Sequence, residues 1–69
     1  MQKTYKDMRL EMGMTQQDIA EYLKITNSCV SLYENYKRRM AVPTCVRFVQ
    51  LYKDTTGKDI DFINDIRHE

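Results

Sequence analysis

Proline occurs once, as Pro43, and glycine only twice, as Gly13 and Gly57, in 69 residues. Strand-rich small domains need frequent turn residues, so this scarcity argues against a sandwich or small barrel and points to helices joined by short connections. Tryptophan is absent and histidine appears once, as His68. The only cysteines, Cys29 and Cys45, stand 16 apart and outside any Cys-x-x-Cys, so no four-ligand zinc site and no convincing cysteine-histidine catalytic pair can be assembled. A small secreted domain stapled by disulfides needs more cysteines, and both are expected as small buried hydrophobes in a reducing compartment. No apolar run approaches the roughly 18 residues of a membrane span. The N-terminal stretch is charged from Lys3 onward and lacks an apolar segment ending in small residues. It does not have the form of a signal or transit peptide, and the expected location is cytoplasmic.

Hydrophobic residues make up 42% of the chain and charged residues 30%, the balance of a soluble globule. The length allows one domain, taken as residues 1–69, which buries only about 60% of its unfolded surface. The net charge is +1, which excludes a strongly basic, tail-like nucleic-acid binder but not an uneven distribution. Residues 1–53 carry nine Lys/Arg against five Asp/Glu, a balance of +4. Residues 54–69 carry two against five, a balance of −3. The chain is basic in front and acidic behind.

Apolar periodicity predicts five helices and no strand. Tyr5, Met8 and Met12 share one face of a first helix from Thr4 to Met12, ended by Gly13. Arg9 falls on that same face, where a charge needs a buried partner. Thr15 can cap a second helix, with Asp18 in its first turn and Ile19, Ala20 and Leu23 as its apolar stripe. Thr26 can cap a third, which turns Val30 and Tyr33 inward and exits at Asn35, a residue that tolerates the left-handed conformation. After a basic loop, Tyr36 to Val42, Pro43-Thr44 reads as a helix start with Thr44 as the cap. Cys45, Phe48, Val49 and Tyr52 follow at helical spacing, and Gly57 ends the helix. Asp59 is placed to cap a fifth, short helix carrying Ile60, Phe62, Ile63 and Ile66. These four lie on more than one face, so at least one is expected to remain exposed in a monomer.

Two short helices joined by a tight turn, with alanine early in the first and aliphatics around the turn, form the arrangement of a DNA-binding helix-turn-helix. The segment QQDIAEYLKITNSCVSLYEN, Gln16 to Asn35, resembles the Cro/repressor type of helix-turn-helix, the lambda-repressor-like (XRE) family. Gln16 opens the motif, Ala20 stands at the close helix crossing, and Ile19, Leu23, Ile25, Val30 and Tyr33 occupy the core positions. The Glu34-Asn35 pair matches the family's frequent ending. The resemblance extends over roughly residues 4 to 63 through Arg9 ahead of Gly13-Met14-Thr15, the Pro-Thr helix start and the terminal helix. It implies an all-α, five-helix domain and an ion pair between Arg9 and Glu34, which would also answer the charge on the apolar face of the first helix. Two positions depart from the pattern: Lys24 stands at the turn glycine, and Tyr36 replaces a second glycine after the Glu-Asn pair.

In this family the third helix enters the major groove and its N-terminal residues meet base edges. Carried onto this chain, the base-reading candidates are Asn27, Ser28, Ser31 and Leu32. The Asn27 amide suits adenine and Leu32 a thymine methyl group. Gln16, at the start of the second helix, and Asn35, Lys37, Arg38 and Arg39, after the third, are the phosphate-binding candidates. Tyr5, Tyr33, Phe48 and Tyr52 lie at core spacing, whereas Tyr22 and Tyr36 are expected to look outward. The expected partner is a palindromic double-stranded operator bound by a homodimer, with no cofactor, metal or enzymatic role. The alternative is a protein-interaction module, antitoxin- or antirepressor-like, on the same fold, which the near-neutral charge favours.

Overall fold

The computed structural model describes residues 2–68. Four α-helices follow in order, α1 (Tyr5–Glu11), α2 (Gln16–Leu23), α3 (Asn27–Glu34) and α4 (Val42–Thr56), with no strand among the described residues. The first two start at capping boxes. Thr4 Oγ1 accepts from the Asp7 amide while Asp7 accepts from the Thr4 amide, and Thr15 and Asp18 repeat the exchange. Thr26 caps α3 by accepting from the Cys29 amide at 3.1 Å. α4 begins earlier than Thr44: Ala41 is its N-cap, with no side-chain cap bond, and Pro43 sits in the first turn. Proline suits that turn because its fixed φ is helical and its missing N–H would be unpaired there anyway.

The first three helices stop by one device. After α1, the amides of Gly13 and Met14 bond to the carbonyls of Leu10 and Arg9, with Gly13 at φ 68°. After α2, Lys24 and Ile25 bond to Glu21 and Ala20, and after α3, Tyr36 and Lys37 bond to Tyr33 and Leu32. Such paired bonds need a left-handed residue within two positions of the helix end. Lys24 (φ 58°) and Tyr36 (φ 55°) supply it without being glycine. They stand at the two positions where the sequence departs from the resembled pattern, so backbone geometry is kept and conformational strain is accepted. Asn35 is not the left-handed exit: its φ is −89°, and Tyr36 takes that role.

Met8, Ile19, Ala20, Val30, Phe48 and Tyr52 form the centre of the core. α2 packs most extensively on α3, and both α1 and α4 close the core around them. Burying these side chains is the main favourable contribution to folding in so short a chain.

The fifth helix is absent from the described residues. Beyond Gly57, residues 57–68 form a strap in which the 62–64 stretch is a turn. Asp61 organises it, its carboxylate accepting from the Ile63 and Asn64 amides at 2.8 and 3.1 Å. Asparagine and aspartate compete with helix formation in this way. The strap then runs beside the N-terminus as a parallel bridge between Lys3 and Ile66. Lys3 N donates to Asp65 O and Arg67 N to Lys3 O, both at 2.8 Å. Ile60 and Ile66 are buried, and Ile63 is the exposed member of the apolar set at 75%. The free thiols are placed differently, Cys45 buried and Cys29 half-buried.

Glu11 is the hub of a polar cluster that ties these segments together. It accepts from Lys3 and Lys58 at 2.8 Å and from the Tyr52 hydroxyl at 3.0 Å. The Lys3 bond is the largest of the causes that hold its carboxyl at about 2, below the ordinary 4.5.

Candidate nucleic-acid interface

The orientation of α3 follows from its sequence. Val30 and Tyr33 are buried in the core, which turns Asn27, Ser28 and Leu32 to solvent and leaves Ser31 half-buried beside them. Thr26 already satisfies the helix start, and neither Asn27 nor Ser28 engages its side chain with another described residue. Their donors and acceptors are therefore available to an external partner. Leu32 is 38% exposed, an apolar contact at the end of the same strip.

One largely buried network joins α3 to the start of α2. Arg9 Nε donates to Glu34 Oε2 at 2.6 Å, Nη2 to Oε1 at 3.2 Å, and Nη1 to the Met14 carbonyl at 3.1 Å. The Arg9 and Glu34 side chains are only 11% and 7% exposed. Gln16 Nε2 donates to the same Glu34 Oε1 at 3.2 Å. Gln16 is thus held at the first position of α2 by the residue that ends α3, and its second amide hydrogen has no described partner. Bidentate pairing of this kind fixes orientation as well as contributing energy.

The Asn35 amide turns back on its own helix, donating to the Ser31 carbonyl at 2.9 Å and less closely to its hydroxyl. Only part of its hydrogen-bonding capacity is left for an external partner. Lys37, Arg38 and Arg39 are exposed in the following loop, and no ion pair engages any of them among the described residues. Three cations without a described ion-pair partner thus follow α3 directly in the chain.

Tyr36 does not look outward as the spacing implied. Its ring stacks on Tyr5 with centroids 5.4 Å apart, and its hydroxyl donates to the Arg67 carbonyl at 2.6 Å. Burial pushes its ionisation upward, so it stays a donor. Tyr22 is 39% exposed, with the Arg47 guanidinium 5.6 Å over its ring. The strap also brings in two residues that sequence reasoning missed. Arg67 lies 5.1 Å over the Tyr36 ring, and His68 joins Tyr36, Lys37, Arg38 and Arg39 around a recess of about 260 Å³. No local signal could have found them, because the linking bond spans 31 positions of sequence.

His68 is locked by both ring nitrogens. Nε2 lies 2.7 Å from the Phe62 carbonyl, which can only accept, and so Nε2 carries a proton; Nδ1 lies 3.0 Å from the Tyr5 hydroxyl. None of the carboxylates of Asp54, Asp59, Asp61 or Asp65 bonds to α3 or the basic loop. Asp54 accepts from Gln50, Asp59 pairs with Lys53, and Asp61 and Asp65 serve the turn. Glu69, part of the acidic tail in sequence, lies outside the described residues. No group of three or more potential metal ligands occurs among the described residues, and no helix there is long and apolar enough to cross a membrane.

A helix-turn-helix family model matches residues 6–56, which takes in nearly all of α1 and the whole of α2, α3 and α4. No curated protein and no solved structure matches the chain. The strap lies beyond the matched residues.

Proposed function

The chain belongs to the Cro/repressor (XRE) type of helix-turn-helix family, a DNA-binding regulatory family and not an enzymatic one, and from that premise we propose that it is a sequence-specific transcriptional repressor that reads the major groove with α3. The observation that carries this reading is the outward strip of α3, where Asn27 and Ser28 are exposed and uncommitted, flanked by the unpaired cations of Lys37, Arg38 and Arg39. In this reading Asn27, Ser28, Ser31 and Leu32 meet base edges, while Gln16, Asn35 and the three cations hold phosphates. The cytoplasm is its place of work.

The longest dimension of the domain is 27 Å. Half-sites of a palindromic operator lie about 34–36 Å apart, so one copy reads one half-site and a homodimer is needed to span the operator. Val42 and Val46, one turn apart on α4 and 65% and 51% exposed, and Ile63 are apolar surface available to such a contact.

Titration of labelled duplex pools at several salt concentrations tests the reading. The three cations of each subunit correspond to a slope of about −2.7 in log affinity against log salt, and to about twice that for a dimer. Absence of salt-sensitive binding to any duplex would refute the repressor reading and favour the protein-interaction module.

A further inference from the structure

A cavity of about 210 Å³ opens where α1, the basic loop, the start of α4 and the strap meet. Tyr5, Phe62 and His68 give it three ring walls, and Cys45 lies against the Tyr5 hydroxyl and His68 Nδ1 at 4.0 Å from each. Val42 and Arg39, both exposed, also line it. Arg39 is its only formally charged wall, and no described carboxylate neutralises it.

We infer that this cavity is an effector site for a small planar aromatic carboxylate, whose ring lies among Tyr5, Phe62 and His68 and whose carboxylate pairs with Arg39. Ligand sites are typically apolar and aromatic with a few polar groups that set orientation, which is the composition found here. A cavity of about 150 Å³ is enough to hold benzene, so a single ring with one carboxylate fits the volume. The arginine fork matches a carboxylate bidentately and its face can stack on a ring, which selects an aromatic anion over a neutral ring or an aliphatic acid. Because Arg39 is also a proposed phosphate contact, an occupied cavity withdraws a cation from DNA. This consequence rests on the reading of Arg39 as part of the DNA interface; occupancy of the cavity does not.

Sodium benzoate is the probe, with sodium acetate and benzyl alcohol as controls at matched ionic strength. Amide resonances of the free protein should shift saturably at Tyr5, Cys45 and Phe62, with a dissociation constant on the order of 1 mM, as befits so small a ligand. Acetate should leave them unmoved, and benzyl alcohol should bind about tenfold more weakly for want of the Arg39 pair. Val42→Phe, which introduces a ring at the cavity wall, should abolish benzoate binding, whereas Arg39→Gln should weaken benzoate about tenfold. In the parent protein about 10 mM benzoate should lower DNA affinity about tenfold, the factor expected when ligand and phosphate exclude one another. Unsaturable shifts, shifts centred elsewhere, or equal benzoate binding by Val42→Phe would overturn the site. Saturation with unchanged DNA affinity would overturn its effector role. Failure to bind any duplex would count against the repressor reading alone, since the titration of free protein still decides the cavity.

Discussion

Replacing Glu34 by alanine strands the Arg9 guanidinium in a pocket where its side chain is 11% exposed. Arg9 loses both Glu34 bonds, retains the Met14 carbonyl, and Gln16 loses its anchor. Leaving one member of a buried pair without its partner costs about 3–5 kcal/mol. At roughly 0.05–0.15 kcal/mol per residue, a chain of 69 residues has only about 3–10 kcal/mol of stability in total. The substitution should therefore remove a large part of it. For a domain of this size each kcal/mol shifts Tm by about 4–8 °C, so a loss of 3 kcal/mol lowers Tm by about 12–24 °C. Thermal and urea unfolding followed by circular dichroism would measure both quantities. The double variant Arg9→Met with Glu34→Leu exchanges the pair for apolar side chains and should recover to within about 1 kcal/mol of the parent, because the ion pair's main role is to avoid an unpaired charge. A Glu34→Ala protein within about 0.5 kcal/mol of the parent would refute the stranded-charge account.

Four further outcomes are expected. Asn27→Ala should weaken binding at one operator position by about 1–3 kcal/mol, whereas Arg38→Ala should weaken all sequences alike and reduce the salt slope by about 1; uniform loss from both, in binding-site selection, would contradict the groove assignment. Lys24→Gly relieves a left-handed residue whose side chain makes no other described bond, and should raise stability by about 0.5–1 kcal/mol in urea unfolding. Tyr36→Gly relieves the same strain but loses the Tyr5 stack and the Arg67 bond, and should destabilise by about 1 kcal/mol instead. Glu11 ionises at about 2 in the folded chain, below the ordinary 4.5, so its stabilising contribution is complete above 4.5 and disappears as pH falls through 2. Glu11→Gln should accordingly flatten the acid limb of the stability profile, and an acid limb identical to the parent's would remove Glu11 from the account.

The helices that carry the outward strip were legible because each rule agreed with the next. Around α2, the Thr15 cap, the Asp18 partner and the Ile19, Ala20 and Leu23 stripe all indicate one element, and Arg9, on the inward side of α1, is paired with a residue 25 positions away. The strap was not legible because its rules conflict. Ile60 and Ile63 stand at helical spacing, as do Phe62 and Ile66, but Asp61 and Asn64 hold the backbone in a turn through side-chain bonds. A single helical bond survives, from the Asp65 amide to the Asp61 carbonyl. Ile66 is then buried by a bridge to Lys3, a pairing across the chain that periodicity cannot report. The same limit hid His68 and Arg67, whose partners belong to α1 and the basic loop.

Tyr36 shows how the strap bears on the interface. A left-handed tyrosine costs about 1 kcal/mol or more, and aromatic stacking of the kind it makes on Tyr5 contributes about 0.5–1.5 kcal/mol. The two nearly cancel, so the bond from its hydroxyl to the Arg67 carbonyl, at 2.6 Å, tips the balance toward the observed loop. That loop carries Lys37, Arg38 and Arg39, and the amides of Lys37 and Arg38 bond back to the Leu32 carbonyl of α3. The distribution of charge follows from the same contact. The strap's described carboxylates are occupied by its own turn and by α4, while Arg67 and His68 are the residues it presents to the loop. A sequence with a net charge of +1 can therefore leave Lys37, Arg38 and Arg39 without a described carboxylate partner, because folding separates charges that the sum adds together.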